Sequence, residues 1–222
     1  MFHLISSFQF SKFYFQKGGT YYNDDFSAAT FNSELAISCL AQVCELYTKY
    51  GLDRQFDFFN RFRSGELIMG ITSYTMYNQL IAAAPEIAGL WSMYPIPGTV
   101  GKNGEIMRQQ SSTGTGAIIL KDAEKNGVAE EAWEFLKWWS SVTTQTYYAE
   151  KLENAMGTAA RYTPANIGAF ETISWTKTER EALVKQWEQV YNVREIPGNY
   201  YISRALTSAI RNTINEGTSI RF

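Results

Sequence analysis

The sequence predicts a helix-rich α/β fold, and three observations carry that expectation. Helical and strand-like patterns alternate along the chain, as they do where helices cover a mostly parallel sheet. Apolar residues make up 45% of the 222 residues, enough to build a sizeable core. One stretch compresses the pattern: Phe62-Arg63-Ser64-Gly65-Glu66-Leu67-Ile68-Met69-Gly70-Ile71-Thr72-Ser73-Tyr74 reads as a helix end, a glycine turn, a short buried strand and an aromatic at the strand's exit. Open α/β sheets bind ligands at the carboxyl ends of their strands, so Tyr74 stands where a cleft residue is expected.

The first clear helix starts at Asn32 or Ser33, either of which can cap it. Ala36, Leu40, Val43, Cys44 and Tyr47 then form one apolar face that stops at Gly51. Residues 55–64 repeat the pattern with Phe58, Phe59 and Phe62, and Gly65 ends it. A strand is expected over 67–72, a short helix over 77–87 and a second strand over 90–94. Pro95-Ile96-Pro97-Gly98 makes a rigid extended exit, because proline fixes φ and has no ladder donor. A loop over 98–104 and a buried strand over 115–121 come next. Residues 128–153 read as one long helix with Ala132, Phe135, Leu136 and Trp139 on one face. Beyond Met156-Gly157 the chain turns polar and loop-like. A capping box, Thr178-Glu179-Arg180-Glu181, then opens a helix with Leu183, Trp187 and Val190 inward. Pro197-Gly198 turns the chain into a last helix over 201–216, built on Ala205, Leu206, Ala209 and Ile210 and closed by Gly217. No internal repeat or low-complexity linker interrupts this order.

Composition removes several function classes. Acids and bases nearly balance, 22 against 20, and are interspersed, so no basic stripe marks a nucleic-acid track. No apolar run reaches the roughly eighteen residues of a membrane span. The opening Met1-Phe2-His3-Leu4-Ile5-Ser6-Ser7-Phe8 lacks the basic and apolar regions of a secretory signal. Cys39 and Cys44 lie five apart on one helix, on different faces, which disfavours a disulfide between them. The aromatic share, 15% with six Trp and fourteen Tyr, exceeds what an aliphatic core needs. Tyr and Trp join an apolar face to a polar tip, which suits a wet recognition surface as well as a core.

Catalytic and cofactor patterns find little material. With a single histidine, His3, read as a surface residue, a Ser-His-Asp triad or a histidine-ligated metal has no basis. Gly98-Thr99-Val100-Gly101-Lys102-Asn103-Gly104 lacks the spacing and the hydroxyl of a phosphate-binding loop. Gly114-Thr115-Gly116 precedes a strand, whereas a dinucleotide fingerprint comes after one and opens a helix. The residues call for no cofactor and no metal. Carboxylates such as Glu66 or Glu153 leave open an alternative reading, an enzyme acting on polysaccharide.

Taken in order, the segments resemble the C-terminal portion of a family 1 extracellular solute-binding protein, the substrate-binding component of a bacterial ABC sugar importer. The resemblance runs from about Gly18 to the end and rests on several motifs. They are Phe62, Gly65 and Met69, the Pro95-Ile96-Pro97-Gly98 exit, the 115–121 strand and Ala132-Trp133-Glu134-Phe135-Leu136-Lys137-Trp138-Trp139. To these are added Met156-Gly157-Thr158-Ala159-Ala160-Arg161-Tyr162-Thr163-Pro164 and Pro197-Gly198-Asn199-Tyr200-Tyr201.

The resemblance implies a type II periplasmic-binding-protein-like fold that is helix-rich and incompletely two-lobed. Residues 1–222 would form its C-terminal part, one lobe plus segments crossing to the other, with no secure internal boundary. It implies a carbohydrate or oligosaccharide ligand and no chemical conversion. It also implies an importer permease as partner, an extracellular or cell-surface location, and membrane association only through an N-terminal lipid anchor outside these residues. By position, Tyr74, Tyr77, Tyr200 and Tyr201 fall where the family's cleft aromatics lie, with Arg161 and Asn78 as hydroxyl-binding candidates. Trp91 and Trp175 stand behind them as runners-up. A sensory module presenting its ligand to a membrane kinase is a further alternative.

Overall fold

The structure, a computed structural model, describes residues 7–112 and 116–217; His3, Gly114 and Thr115 lie outside the described residues. In chain order the elements are α1 Ser7–Gln16, α2 Glu34–Thr48, α3 Phe58–Arg63, α4 Met76–Ala83, β1 Thr99–Val100, β2 Ile106–Met107 and β3 Gln110–Ser111. After these come α5 Lys121–Lys125, α6 Ala129–Trp139, α7 Val142–Met156, α8 Ile167–Thr172, α9 Lys177–Trp187, β4 Val190–Tyr191 and α10 Asn199–Glu216. The chain divides into two compact units. One comprises Met1–Thr72, Tyr94–Thr113 and Ala182–Phe222, the other Ser73–Met93 and Gly114–Glu181.

The first unit is organised by α1, α2 and α10. In α2 the expected face is the observed one: Ala36, Cys39, Leu40, Val43, Cys44 and Tyr47 are buried, and Ser33 caps the helix by accepting from the Ala36 N–H. This one hydrogen bond satisfies a donor that the first helical turn leaves without a partner. Helix α10 begins after Gly198 and ends at Gly217, both left-handed, and buries Leu206, Ile210 and Ile214 against the same core. Ala205, expected inside, is exposed. Helix α1, not expected from the sequence, ends just before Gly18, whose φ is 84°. Its helicity comes from burial of Phe10, Tyr14 and Phe15 among Phe31, Leu40 and Val43. Helix α3 is shorter than its pattern, starting at the Asp57 cap and burying only Phe58.

Strand content is where expectation and structure part. The segment over 67–72 forms no ladder, and Ile68 and Met69 are 85% and 74% exposed rather than buried. The segment over 90–94 likewise forms no ladder, with Leu90 and Tyr94 each 79% exposed. Residues 116–120 form no ladder among the described residues, Leu120 caps α5 in extended backbone, and Lys121 already belongs to α5. A strand needs a neighbouring strand to carry its ladder, and among the described residues none of these three joins one. The ladders that form lie in the first unit. β1 pairs antiparallel with β2, which turns the expected 98–104 loop into a hairpin, and β3 pairs parallel with β4. Around them, Gln186 Oε1 accepts from the Ile96 N–H at 2.9 Å while its Nε2 donates to the Arg108 carbonyl at 3.0 Å.

In the second unit, the long helix expected over 128–153 is two. Ser140 Oγ donates to the Leu136 carbonyl at 2.7 Å, and Ser141 Oγ accepts from the Thr144 N–H at 3.2 Å. The first hydroxyl competes for the end of α6 while the second caps α7, so the serine pair breaks the run. The expected 77–87 helix stops at Ala83 and resumes as a 3₁₀ turn over Pro85–Ile87, because Pro85 has no N–H to continue the ladder. The capping box also shifts by two residues. Thr176 Oγ1 accepts from the Glu179 N–H and Glu179 Oε2 accepts from the Thr176 N–H. Buried Trp175, 5% exposed, anchors the chain immediately before that start.

Both cysteines are free and lie inside the α2 face. Burial pushes the Cys44 thiol up to about 11 and raises Cys39 as well, so scarcely any thiolate exists near neutral pH. We expect a thiol-specific disulfide reagent at pH 8 to leave the native chain unlabelled for hours and to titrate two thiols once guanidinium unfolds it. Rapid labelling of the native chain would mean that the α2 face is not packed as described.

Candidate functional site

The second unit holds four of the six candidate residues and packs two of them, Tyr77 and Asn78, against a third, the buried Arg161. Helix α7 ends at Gly157, whose φ of 78° turns the chain sharply out of the helix. A 3₁₀ turn over Thr158–Ala160 comes next and aims Arg161 back at the helix it has just left. The Arg161 guanidinium then meets Glu153: Nη2 donates to Oε1 at 2.8 Å and Nε to the same oxygen at 3.2 Å. The side chains are 6% and 20% exposed, which makes this an internal ion pair.

Aromatic rings complete the enclosure. The guanidinium carbon lies 4.9 Å from the centroid of the Trp175 ring and 5.6 Å from that of Tyr77. Rings at such distances attract a cation through their electron-rich faces. Tyr77 in turn meets Trp175 at 4.7 Å and Trp91 edge-on at 5.4 Å. Asn78 Nδ2 donates to the Arg161 backbone carbonyl at 3.0 Å, tying α4 to the 157–161 turn. Three atoms of the cluster, Asn78 Oδ1, Arg161 Nη1 and Trp175 Nε1, are buried and make no hydrogen bond among the described residues.

The electrostatics are set by this packing. Burial is the largest influence on Arg161 and opposes its charge, yet Glu153 and Tyr77 together hold its pKa above the ordinary arginine value. The Tyr77 phenol is raised by burial and by the Glu179 carboxylate, with Arg161 pulling the other way. Tyr74, half-buried, is raised by burial and by Tyr162, against a hydrogen bond with Thr163.

Tyr77, Asn78 and Arg161 are therefore brought together, but facing inward, with the Arg161 fork already taken by a carboxylate. Tyr74, half-buried in the same unit, interacts with Tyr162 and Thr163. Tyr200 and Tyr201 belong to the first unit, in the opening turn of α10. They are 68% and 74% exposed, with their rings edge-to-face at 5.6 Å. Glu66 sits in the first unit as a partner of Arg61 at 3.4 Å. Sequence reasoning named Glu153 only as a possible catalytic carboxylate and did not single out Tyr162 or Thr163. The spacing of Glu153 one helical turn before Gly157, with Arg161 just beyond, was the available signal for the ion pair.

No family model and no curated protein matches the sequence. Solved structures do. An ABC transporter solute-binding protein from Thermotoga lettingae, bound with α-D-tagatose, is 18% identical and superposes with a TM-score of 0.69 over 96% of this chain and 52% of its own. An ABC substrate-binding protein from Listeria monocytogenes, in complex with cycloalternan, is 14% identical and superposes with a TM-score of 0.55 over 97% of this chain and 53% of its own. The chain thus has the helix-rich α/β fold of ABC solute-binding proteins and spans about half the length of the structures it matches.

Removing the carboxylate exposes the cost of the buried cation. Glu153→Ala should destabilise the protein by about 3–5 kcal/mol in urea unfolding, since it leaves Arg161 charged and unpaired inside. Replacing both residues by methionine should recover much of that loss, because the orphaned charge is gone. A loss under about 1 kcal/mol for the single variant, the range of exposed pairs, would place the pair at the surface.

Proposed function

We propose that this chain is the ligand-binding part of a receptor that captures a carbohydrate or oligosaccharide outside the cell and delivers it unchanged to an ABC importer permease. The observation that supports the reading most directly is the superposition, over nearly the whole chain, on two solute-binding proteins of ABC transporters crystallised with sugars.

The proposed contact residues divide by what the structure leaves available. Tyr74 presents a half-buried ring beside the Tyr162 and Thr163 hydroxyls, a combination that stacks on the C–H face of a sugar and hydrogen-bonds its rim. Tyr200 and Tyr201 offer two exposed rings in the first unit. Tyr77, Asn78 and Arg161 belong to the site as its foundation, fixing the turn and helix from which Tyr74 and Tyr162 project. In this reading Glu153 neutralises Arg161 and Glu66 partners Arg61, so both carboxylates are in structural use.

A thermal-shift titration of the chain against mono- and oligosaccharides, including tagatose and cyclic glucans, tests the proposal. Ligand that binds only the folded state raises the melting temperature with concentration. We expect a saturable shift, weakened by about 1–3 kcal/mol of binding energy in Tyr74→Ala or Tyr201→Ala, the range of a typical interface anchor. Tyr77→Ala, by contrast, should lower the melting temperature without any sugar present. A cooperative melt that no sugar moves would remove the carbohydrate assignment, and unchanged affinity in both alanine variants would remove these contacts.

A further inference from the structure

The first unit carries a surface groove of about 320 Å³ that shares no residue with the proposed sugar contacts. Two stretches of helix supply its walls. Phe13 and Lys17 lie four apart across the end of α1, and Gln42, Glu45 and Leu46 lie at i, i+3 and i+4 on α2, spacings that put each set on one face. Thr99 of β1 also lines the groove. Its hydroxyl donates to Gln16 Oε1 at 3.0 Å, and Gln16 Nε2 donates to the Pro97 carbonyl at 3.1 Å, so the strand is pinned to the end of α1. Tyr50, just past α2 and 65% exposed, completes the lining, with its N–H bonded to the Glu45 carbonyl at 3.0 Å.

The lining combines apolar surface with one charge of each sign. Phe13 and Leu46 are part-buried and packed against the core of the unit. Lys17 Nζ donates to Gln42 Oε1 at 2.8 Å, which uses one of an ammonium's three donors. The Glu45 carboxylate makes no ion pair with a described residue. Gln42 and Glu45 are neighbours on one helix face, with Cβ atoms about 5–6 Å apart, so the ammonium held at Gln42 stands on the order of one helical turn from that carboxylate. A further cation, Lys49, lies with its Nζ 5.5 Å from the centroid of the Tyr50 ring.

We propose that this groove binds a small zwitterion with an apolar body, a free α-amino acid bearing an aromatic or aliphatic side chain. Charge complementarity selects that class. A simple anion would be set beside Glu45 and a simple cation beside Lys17, whereas a neutral apolar molecule would strip water from both charges and return no partner to either. An α-amino acid carries its ammonium and carboxylate on one carbon, the first for Glu45 and the second for Lys17, and directs its side chain onto Phe13, Leu46 and the Tyr50 ring. Hydrogen bonds between ionised groups are the stronger kind, and the Thr99 hydroxyl adds a neutral one. The volume stands at the small end of the range for ligand pockets, which suits a single amino acid. This binding does not depend on the sugar reading, because none of its residues belongs to that site.

An NMR titration of the isotope-labelled 222-residue chain with L-phenylalanine tests it. The amides of Lys17, Glu45, Tyr50 and Thr99 should shift saturably. N-acetylphenylalanine, which lacks the ammonium, and phenylalanine amide, which lacks the carboxylate, should each bind roughly ten- to a hundredfold more weakly, the loss expected for a hydrogen bond to a charged group. Glu45→Gln should weaken phenylalanine by a similar factor and leave N-acetylphenylalanine unchanged; Lys17→Met should weaken phenylalanine and leave phenylalanine amide unchanged. Tyr74→Ala should alter none of these affinities. If either groove variant perturbs the fold, the two derivatives on the unsubstituted chain decide. Shifts that never saturate, equal affinity for phenylalanine and both derivatives, or saturable shifts confined to amides outside the groove overturn the proposal.

Discussion

A guanidinium carried into the interior of the second unit constrains everything around it. Taking Arg161 out of water costs several kcal/mol, and only close, well-oriented partners return that cost. Glu153 supplies the countercharge through two guanidinium nitrogens, Trp175 and Tyr77 supply their ring faces, and Asn78 holds the backbone carbonyl of Arg161 in place. These partners come from three separate stretches: α4, the end of α7, and the segment before α9. One charge therefore ties these elements together, alongside buried apolar residues such as Leu80, Phe170 and Ile173. Gly157 is part of the same device, since its left-handed φ lets the chain double back within four residues.

The first unit solves its packing differently, with aromatic residues whose polar tips are also used. Phe10 stacks on Tyr14 at 5.1 Å, and Phe31 meets Tyr21 edge-on at 4.9 Å, geometries that favour ring pairs beyond their buried area. The hydroxyl of Tyr47 donates to Gln9 Oε1 at 2.8 Å and that of Tyr22 to Asn199 Oδ1 at 2.7 Å. These bonds join α2 to α1 and the segment after α1 to the start of α10. Much of the aromatic excess in the composition is thus core material in this unit, with tyrosine chosen where a hydroxyl can reach a partner.

How much of this was legible in the sequence depends on whether each signal is local. Helix α2 was readable because its cap, Ser33, and its apolar period are all within one stretch, and α10 because Gly198 and Gly217 bracket it. Helix α1 was not, although Gly18 with φ 84° stands just past its end, because its apolar face packs on a core assembled from distant residues. The strands over 67–72 and 90–94 were misread for the complementary reason: a strand's pattern is local but its hydrogen bonds are not. The capping box was ambiguous because Thr176-x-x-Glu179 and Thr178-x-x-Glu181 both satisfy the spacing, and buried Trp175 chooses the first. In the site, Tyr74, Tyr77, Asn78 and Arg161 were named by the family resemblance, as ligand contacts. Which of them face inward depends on Glu153, eight residues upstream, and no local pattern reveals it.

That inward commitment shapes what the site can recognise under the proposed function. Arg161 gives Nε and Nη2 to Glu153 and Asn78 gives Nδ2 to the backbone of the same turn, and the atoms left over, Arg161 Nη1 and Asn78 Oδ1, are buried. Recognition from this unit then falls to the Tyr74 ring and to the neutral hydroxyls of Tyr162 and Thr163. A ring face favours C–H surfaces and hydroxyls favour neutral polar rims, whereas an anionic solute would find the nearby cation already neutralised. The balance favours an uncharged, flat-faced ligand, which is the physical description of a neutral sugar and not of a sugar acid or phosphate. Under the proposed function, the ion pair bears on selectivity without touching the solute, because a carboxylate already engages two nitrogens of the charge-assisted donor that the family resemblance had offered.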